Sequence, residues 1–242
     1  GAADDYLTNL AFTPDDQFVI LAEVNRDQNH MMVNLYEVKT GKFVRTLFDE
    51  SNEKWVEPEH AAFFPSAKSN NFIWISERDG FSNLYYYDIN GKLITQLTKH
   101  AFVVKDIIGA TTDGTSVYYS ATGENSMNTL VYSISVTPKH TPSKLIITVD
   151  GTHEVQVSSS GKYIFDAYSN HDTDYHAWIL NPSGKAVKQL MVSNDKLSDV
   201  KIGSAEIKTL TAPDGTKLYT RLIKPSNFDP KKKYPVMVYV YG

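Results

Sequence analysis

The sequence from position 14 reads Pro14-Asp15-Asp16-Gln17-Phe18-Val19-Ile20-Leu21, a turn-forming tetrapeptide followed directly by an apolar run. Turn residues placed before a short apolar run predict a β-strand that begins just after a tight turn. The same order of features recurs further along the chain. The other copies are Ser69-Asn70-Asn71 before Phe72-Ile73-Trp74-Ile75, Thr112-Asp113-Gly114-Thr115 before Val117-Tyr118-Tyr119, and Ser159-Ser160-Gly161-Lys162 before Tyr163-Ile164-Phe165.

The regular spacing of these copies indicates an internal repeat. Three copies also carry a hairpin turn with a central glycine, which suits the positive φ of a tight hairpin. A last apolar strand follows such turns, as in Phe43-Val44-Arg45-Thr46-Leu47. The second strands of the four copies are Asn34-Leu35-Tyr36, Asn83-Leu84-Tyr85, Leu130-Val131-Tyr132 and Ala177-Trp178-Ile179, and the hairpin turns are Thr40-Gly41-Lys42, Asn90-Gly91-Lys92 and Ser183-Gly184-Lys185.

Four short strands in roughly 45 to 50 residues are typical of one propeller blade. A single four-stranded sheet cannot bury both of its faces, so it must stack against neighbouring blades. We therefore predict an all-β fold in which residues 1–193 form a partial β-propeller of about four blades, each with four antiparallel strands. A meandering β-sandwich without true repeats is the alternative interpretation.

Composition excludes several classes of function. The 242 residues include 24 Lys and Arg against 28 Asp and Glu, so a broad nucleic-acid interface is not expected. Cysteine is absent, which excludes disulfides, thiolate zinc sites and cysteine nucleophiles. No apolar run approaches the roughly 20 residues of a membrane helix. Aromatic residues make up 12%, which favours pleated, half-buried strands.

The pattern changes near residue 194. Residues 194–203 are polar and are interpreted as a linker, and residues 205–223 have the pattern of a hairpin around Ala212-Pro213-Asp214-Gly215. The uninterrupted apolar run Val236-Met237-Val238-Tyr239-Val240-Tyr241 predicts a strand buried on both faces. Such a strand needs cover that the 242 residues do not supply. We therefore expect residues 204–242 to be the first strands of a truncated α/β domain.

Three segments resemble a known family. The segment from Pro225 to Gly242, with its Lys233-Tyr234-Pro235 motif, resembles the entrance to the α/β-hydrolase domain of the prolyl oligopeptidase clan of serine peptidases. Trp55-Val56-Glu57-Pro58-Glu59-His60 and the stretch from Ile75 to Tyr85 resemble the dipeptidyl peptidase IV family, especially its bacterial members. The resemblance implies the second half of an eight-bladed propeller that gates and positions substrate.

The family resemblance also implies a function for the intact parent protein. That function is removal of X-Pro or X-Ala dipeptides from peptides with a free N-terminus, by a periplasmic or exported enzyme that forms homodimers. The family's Gly-x-Ser-x-Gly nucleophile motif and its Glu-Glu pair for the substrate amine are both absent from the 242 residues. The stretch alone is therefore expected to lack the catalytic triad and peptidase activity.

Two residues are candidate site residues. Tyr241 matches the family tyrosine that donates its hydroxyl to the oxyanion, a role it would have only in the intact parent. Arg78 is a candidate substrate-binding residue, although a tight turn with charged flanks is the simpler interpretation of Arg78-Asp79. The cluster from His171 to His176 is interpreted as a solvated hairpin loop, so no metal site and no cofactor are predicted.

Two other functions stay open on the sequence. A free-standing propeller without a hydrolase would bind a protein or peptide. An oligopeptidase or acylaminoacyl peptidase would share the clan but differ in end specificity.

Overall fold

The computed structural model describes residues 2–139, 141–193 and 199–240. Within these ranges the regular structure consists of β-strands and contains no helix, and therefore no helix able to cross a membrane. The chain divides into two compact units, Gly1–Ser193 and Asn194–Gly242. The predicted linker falls largely on residues 194–198, which lie outside the described residues.

The first unit contains four consecutive antiparallel sheets, which we number as blades 1 to 4. In every blade each strand pairs with the next strand along the chain. Blade 1 comprises β1 (Tyr6–Phe12), β2 (Phe18–Val24), β3 (His30–Glu37) and β4 (Phe43–Ser51); blade 2 comprises β5 (Phe72–Ser76), β6 (Asn83–Tyr87) and β7 (Leu93–Gln96); blade 3 comprises β8 (Val104–Ala110), β9 (Ser116–Ala121), β10 (Leu130–Ser135) and β11 (Lys144–Ile147); blade 4 comprises β12 (Thr152–Val157), β13 (Ile164–Ser169), β14 (His176–Leu180) and β15 (Ala186–Val192).

This arrangement confirms the predicted all-β partial propeller, with one departure in blade 2. Blade 2 has three strands, and its first strand is reduced to a single bridge between Phe63 and Ile73. Both backbone hydrogen bonds of that bridge form, at 3.0 and 2.8 Å. Pro65, two residues beyond Phe63, has no N–H to donate to the next ladder position. The pairing therefore stops after one bridge.

Positive φ angles occur in both kinds of tight turn, although the sequence predicted them only for the hairpin glycines. In the turns that precede β2, β9 and β13, the third residue has positive φ: 56° at Asp16, 70° at Gly114 and 63° at Gly161. The hairpin glycines Gly41 and Gly91 also have positive φ, at 67° and 87°. These residues allow the chain to reverse direction without steric strain, which fixes the register of each hairpin.

The apolar core lies between adjacent blades rather than inside one blade. Strand β5 shows how neighbouring residues are divided between two cores. Phe72 and Trp74 pack with Ile20 of blade 1, whereas Ile73 between them packs with Val117 of blade 3. All of these side chains are almost completely buried. Each buried apolar side chain of this size contributes roughly 1.5–3 kcal/mol, so both faces of an inner blade stabilise the fold.

Blade 3 repeats this arrangement one step further along the unit. Tyr119 belongs to the core shared with blade 2, and the adjacent Tyr118 belongs to the core shared with Ile164 and Leu180 of blade 4. The two-residue period of a strand thus makes each inner blade a member of two interfaces.

In its described residues, 199–240, the second unit contains one hairpin, β16 (Ala205–Thr211) paired with β17 (Lys217–Ile223). Residues 236–240 differ from the expected strand: they have no strand assignment, and Val236, Met237 and Val240 are 79%, 94% and 82% exposed. A strand needs a hydrogen-bonded neighbour, and no strand among the described residues pairs with this run.

Substitution of Gly91 by alanine is expected to destabilise the protein strongly. A Cβ on Gly91 would lie 2.0 Å from the carbonyl oxygen of Leu47 in blade 1, closer than any van der Waals contact. We expect Gly91→Ala to lower the free energy of unfolding by about 2–4 kcal/mol, measured by urea unfolding with tryptophan fluorescence.

Gly41→Ala is the matched control for this prediction. Gly41 occupies the same hairpin position with a similar φ of +67°, but a Cβ there would meet nothing within 4 Å. Gly41→Ala should lower the free energy of unfolding by about 1 kcal/mol, which is the cost of the left-handed conformation alone. Equal losses in the two variants would contradict a close contact between blades 1 and 2.

Candidate substrate cleft

A cleft lies where the ends of β4 and β5 meet the loop that connects blades 1 and 2. The cavity has a volume of about 380 Å³. Most of its lining comes from three segments: residues 49–52 at the end of β4, residues 54–58 of the connecting loop, and residues 74–78 at and after the end of β5. Met31 and Gly80 complete the lining. Arg78, the candidate from the sequence, is among the lining residues.

Arg78 enters the cleft from a tight turn. The backbone N–H of Gly80 donates to the carbonyl of Glu77 at 2.8 Å, and Gly80 has a φ of +99°. The turn predicted for this segment is therefore present. Ser76, the last residue of β5, accepts the backbone N–H of Arg78 at 3.2 Å and orients its side chain.

Internal partners hold the guanidinium of Arg78 in place. Nε donates to Oγ of Ser76 at 2.9 Å, Nη1 donates to the hydroxyl of Tyr87 at 2.5 Å, and Nη2 donates to Glu50. Its central carbon lies 4.2 Å from the ring centroid of Tyr85, a cation–π contact. These bonds use three of the five N–H donors of an arginine. No hydrogen bond to another described residue uses the remaining two donors.

Glu50 is the charge partner of Arg78 on the neighbouring blade. Its side chain is 12% exposed, and it also accepts the hydroxyl of Ser76 at 2.7 Å. Burial raises the pKa of Glu50, and the positive charge of Arg78 partly opposes that rise. Burial likewise raises the pKa of Tyr87, again against the charge of Arg78. The Arg78 cation thus stabilises the ionised form of a carboxylate that its surroundings disfavour.

The connecting loop supplies the outer wall of the cleft. Backbone hydrogen bonds tie the loop to blade 1, from Asn52 to Asn29 at 3.0 Å and from Val56 to Gln28 at 2.7 Å. These bonds leave the indole of Trp55 57% exposed. The ammonium of Lys54 lies 5.8 Å from the centroid of that indole. The wall is therefore an anchored aromatic surface rather than a loose loop.

A smaller cavity of about 40 Å³ adjoins the first one. The two cavities share Glu57, Ile75, Ser76 and Glu77 in their linings, so they lie side by side, and we describe them together as the cleft. In the smaller cavity, His60 lies between two acidic residues, 3.8 Å from Glu59 and 3.5 Å from Asp106. The polar character of the cleft therefore increases towards this end.

Two further predictions from the sequence concern Tyr241 and the segment from His171 to His176. Tyr241 is outside the described residues. The segment with His171 forms the connection between Ser169 at the end of β13 and His176 at the start of β14. Across the described ranges, no group of three or more His, Cys, Asp and Glu residues is placed to hold a metal ion.

Sequence reasoning missed the partners of Arg78. Glu50 lies 28 positions before Arg78, and only the packing of blade 1 on blade 2 brings the two together. The sequence offers no clear signal for Glu50, because the same strand also contains the charged residues Arg45 and Asp49. Tyr87 lies two residues beyond the predicted strand segment Asn83-Leu84-Tyr85 and was not singled out from the sequence.

The blades and their cleft define the first unit as part of a β-propeller domain. The family model of the "Dipeptidyl peptidase IV (DPP IV) N-terminal region" matches residues 1–175, and the chain belongs to this family.

Individual relatives agree with this assignment. Dipeptidyl peptidase 4 of Trichophyton rubrum is 26% identical over 175 residues, which are 71% of this chain. A solved structure assigned as a dipeptidyl aminopeptidase IV, from Bacteroides ovatus ATCC 8483, is 32% identical with a TM-score of 0.88 over 99% of this chain. Porphyromonas gingivalis dipeptidyl peptidase 4 shares the fold, with a TM-score of 0.84 over 97% of the chain and 23% identity.

The chain spans only part of these relatives. It covers 23% of the Trichophyton rubrum protein, 36% of the Bacteroides ovatus chain and 33% of the Porphyromonas gingivalis chain.

Substitution of Arg78 by methionine should destabilise the protein in a pH-dependent way. At neutral pH the change leaves the Glu50 carboxylate buried without its cation. We expect the free energy of unfolding to fall by about 2 kcal/mol. This is less than the cost of breaking a fully buried ion pair, because the Arg78 side chain is 29% exposed. The pKa of Glu50 is raised in the folded state, so its protonated form is favoured there. As pH falls through that raised pKa, Glu50 becomes neutral. The difference in the free energy of unfolding between wild type and variant should then become smaller.

The measurement is urea unfolding of wild type and variant between pH 4 and pH 8. The control is the double variant Glu50→Gln/Arg78→Met, which has no buried charge and should show a smaller loss with little pH dependence. A loss in Arg78→Met that is constant across this range would contradict the assigned role of Glu50.

Proposed function

We propose that the full-length protein is a serine-type dipeptidyl peptidase that removes X-Pro and X-Ala dipeptides from peptide N-termini. In this proposal the propeller positions and gates the peptide, and the residues that break the bond lie outside the 242-residue stretch. The observation that supports it most directly is the family match over residues 1–175, together with a cleft at the junction of blades 1 and 2.

The two candidate residues have different roles in this proposal. Arg78 forms part of the wall of the cleft and offers its two remaining N–H donors to carbonyl oxygens of the bound peptide. Tyr241 donates its phenolic hydroxyl to the oxyanion that develops when the scissile carbonyl is attacked. A donor aimed at developing negative charge stabilises the transition state more than the ground state, so it accelerates the reaction.

The proposal extends to the cellular context. The substrates are peptides with a free N-terminus, and the full-length protein forms homodimers. Its location is the periplasm or the exterior of the cell. The resemblance of residues 55–60 and 75–85 to the family supports these assignments.

The full-length protein should release chromogenic leaving groups from Ala-Pro and Ala-Ala substrates but not from the N-acetylated forms, which lack the free amine. Tyr241→Phe should lower kcat by about 10²–10³-fold, because one oxyanion donor is lost. The assay is steady-state hydrolysis, with circular dichroism to verify that the variant is folded.

Tyr239→Phe is the matched control, since Tyr239 is in the same apolar run and is 86% exposed. It should leave kcat nearly unchanged. Normal turnover by Tyr241→Phe would exclude the oxyanion role. Binding of peptides without any hydrolysis by the wild-type protein would favour a binding module instead of an enzyme.

A further inference from the structure

The cleft changes in chemical character along its length. The lining of the larger cavity includes the apolar or aromatic side chains of Met31, Trp55, Val56 and Trp74, and it also includes the cations Lys54 and Arg78 and several carboxylates. The smaller cavity has three carboxylates in its lining, Glu57, Glu59 and Glu77. A volume of about 40 Å³ is close to that of a single water molecule or ammonium group. The cleft therefore combines a wide part, where aromatic and aliphatic surface lies beside charged groups, with a narrow end rich in carboxylates.

Much of the charge around the cleft is already compensated. Glu50 is paired with Arg78, Asp49 lies 3.5 Å from His30, and Glu59 lies 3.8 Å from His60. Glu77 accepts a hydrogen bond from the hydroxyl of Ser82 at 2.9 Å.

Two carboxylates at the narrow end lack a cationic partner. Within the ranges that the structure describes, neither Glu57 nor Glu77 forms an ion pair with a lysine, arginine or histidine. Glu57 and Glu77 both belong to the lining of both cavities. The narrow end thus has an excess of negative charge where a ligand in the larger cavity would reach it.

Lysine and arginine side chains match this arrangement. Each has an apolar stem that can lie along aromatic and aliphatic surface and a cationic group that needs acceptors. The exposed indole of Trp55 also favours a cation over its face, as the position of Lys54 illustrates. The cleft thus offers a lysine-like side chain a surface for its stem and carboxylates for its charge.

We propose that this cleft binds a basic side chain of the peptide substrate, with the aliphatic stem against Trp55 and the cationic group between Glu57 and Glu77. This inference rests on the proposed function, because it names the class of residue that the peptidase prefers in its substrate. A preference of this kind makes the cleft a specificity-determining site.

The test compares lysine with norleucine, which has a similar stem but no charge. The substrates are hexapeptides Ala-Pro-Ala-Ala-Ala-Ala with lysine or norleucine at position 1, 3 or 4, and the full-length protein is assayed for dipeptide release by mass spectrometry. At one of these positions we expect a lysine-to-norleucine ratio of kcat/KM of about five, since a partly exposed ion pair contributes up to about 1 kcal/mol.

Two perturbations should lower this ratio towards one. Glu57→Gln removes one carboxylate without a change of shape, and 0.5 M salt screens the attraction. Glu53→Gln is the matched control, because Glu53 is an exposed carboxylate of the same loop that does not line the cleft. It should leave the ratio unchanged. A merely structural role of Glu57 would lower both rates together and leave the ratio and its salt dependence unaltered.

The outcomes separate this inference from the proposed function. Release of dipeptides with a ratio of one at all three positions, or a ratio that Glu57→Gln does not lower, overturns the basic-residue preference and leaves the peptidase function intact. If no dipeptide is released, the peptidase function fails. The same peptides are then tested by isothermal titration calorimetry, where tighter binding of a lysine peptide that depends on Glu57 supports the cleft and equal binding overturns it.

Discussion

Every inner blade of this protein depends on apolar contacts with the blade on each side. Consecutive residues of β5 enter different cores, with Phe72 and Trp74 towards blade 1 and Ile73 towards blade 3. Because a strand alternates its side chains, the sequence of such a strand must be apolar on both faces. The chain can satisfy this constraint only by repetition, which explains why the same pattern recurs along the unit. Stability is therefore distributed over the blade interfaces.

The interface between blades 1 and 2 also contains the polar interactions that form one wall of the cleft. Glu50 at the end of β4 and Arg78 just after β5 meet across blades 1 and 2 through Ser76 and Tyr87. Each of these groups has a hydrogen-bonding partner, so burial of the pair does not leave an unsatisfied charge. The network fixes one wall of the cleft and leaves the opposite wall, with Trp55 and Glu57, to face solvent.

The sequence predicted the blades well because local signals decide them. Turn residues before Phe18, Phe72 and Val117 marked strand starts that the structure confirms as β2, β5 and β9, the last within one residue. The reduced first strand of blade 2 was not predicted, since it depends on a proline two residues beyond Phe63. The pairing of Glu50 with Arg78 was not predictable either, because it arises from packing between blades. Residues 236–240, within the run expected to form a strand, show where sequence pattern alone fails. Apolar character favours a strand, but a strand forms only where a second strand is hydrogen-bonded to it.

The single bridge at Phe63 affects more than blade 2. Since residues 52–62 are not committed to a ladder, their length and composition can change without loss of any sheet hydrogen bond. That segment carries Trp55, Glu57 and Glu59, whereas the paired strands hold Glu50 and the residues that fix Arg78. Evolution, or a protein engineer, could thus exchange this cleft-lining loop as a unit while the paired strands beneath it stay constant.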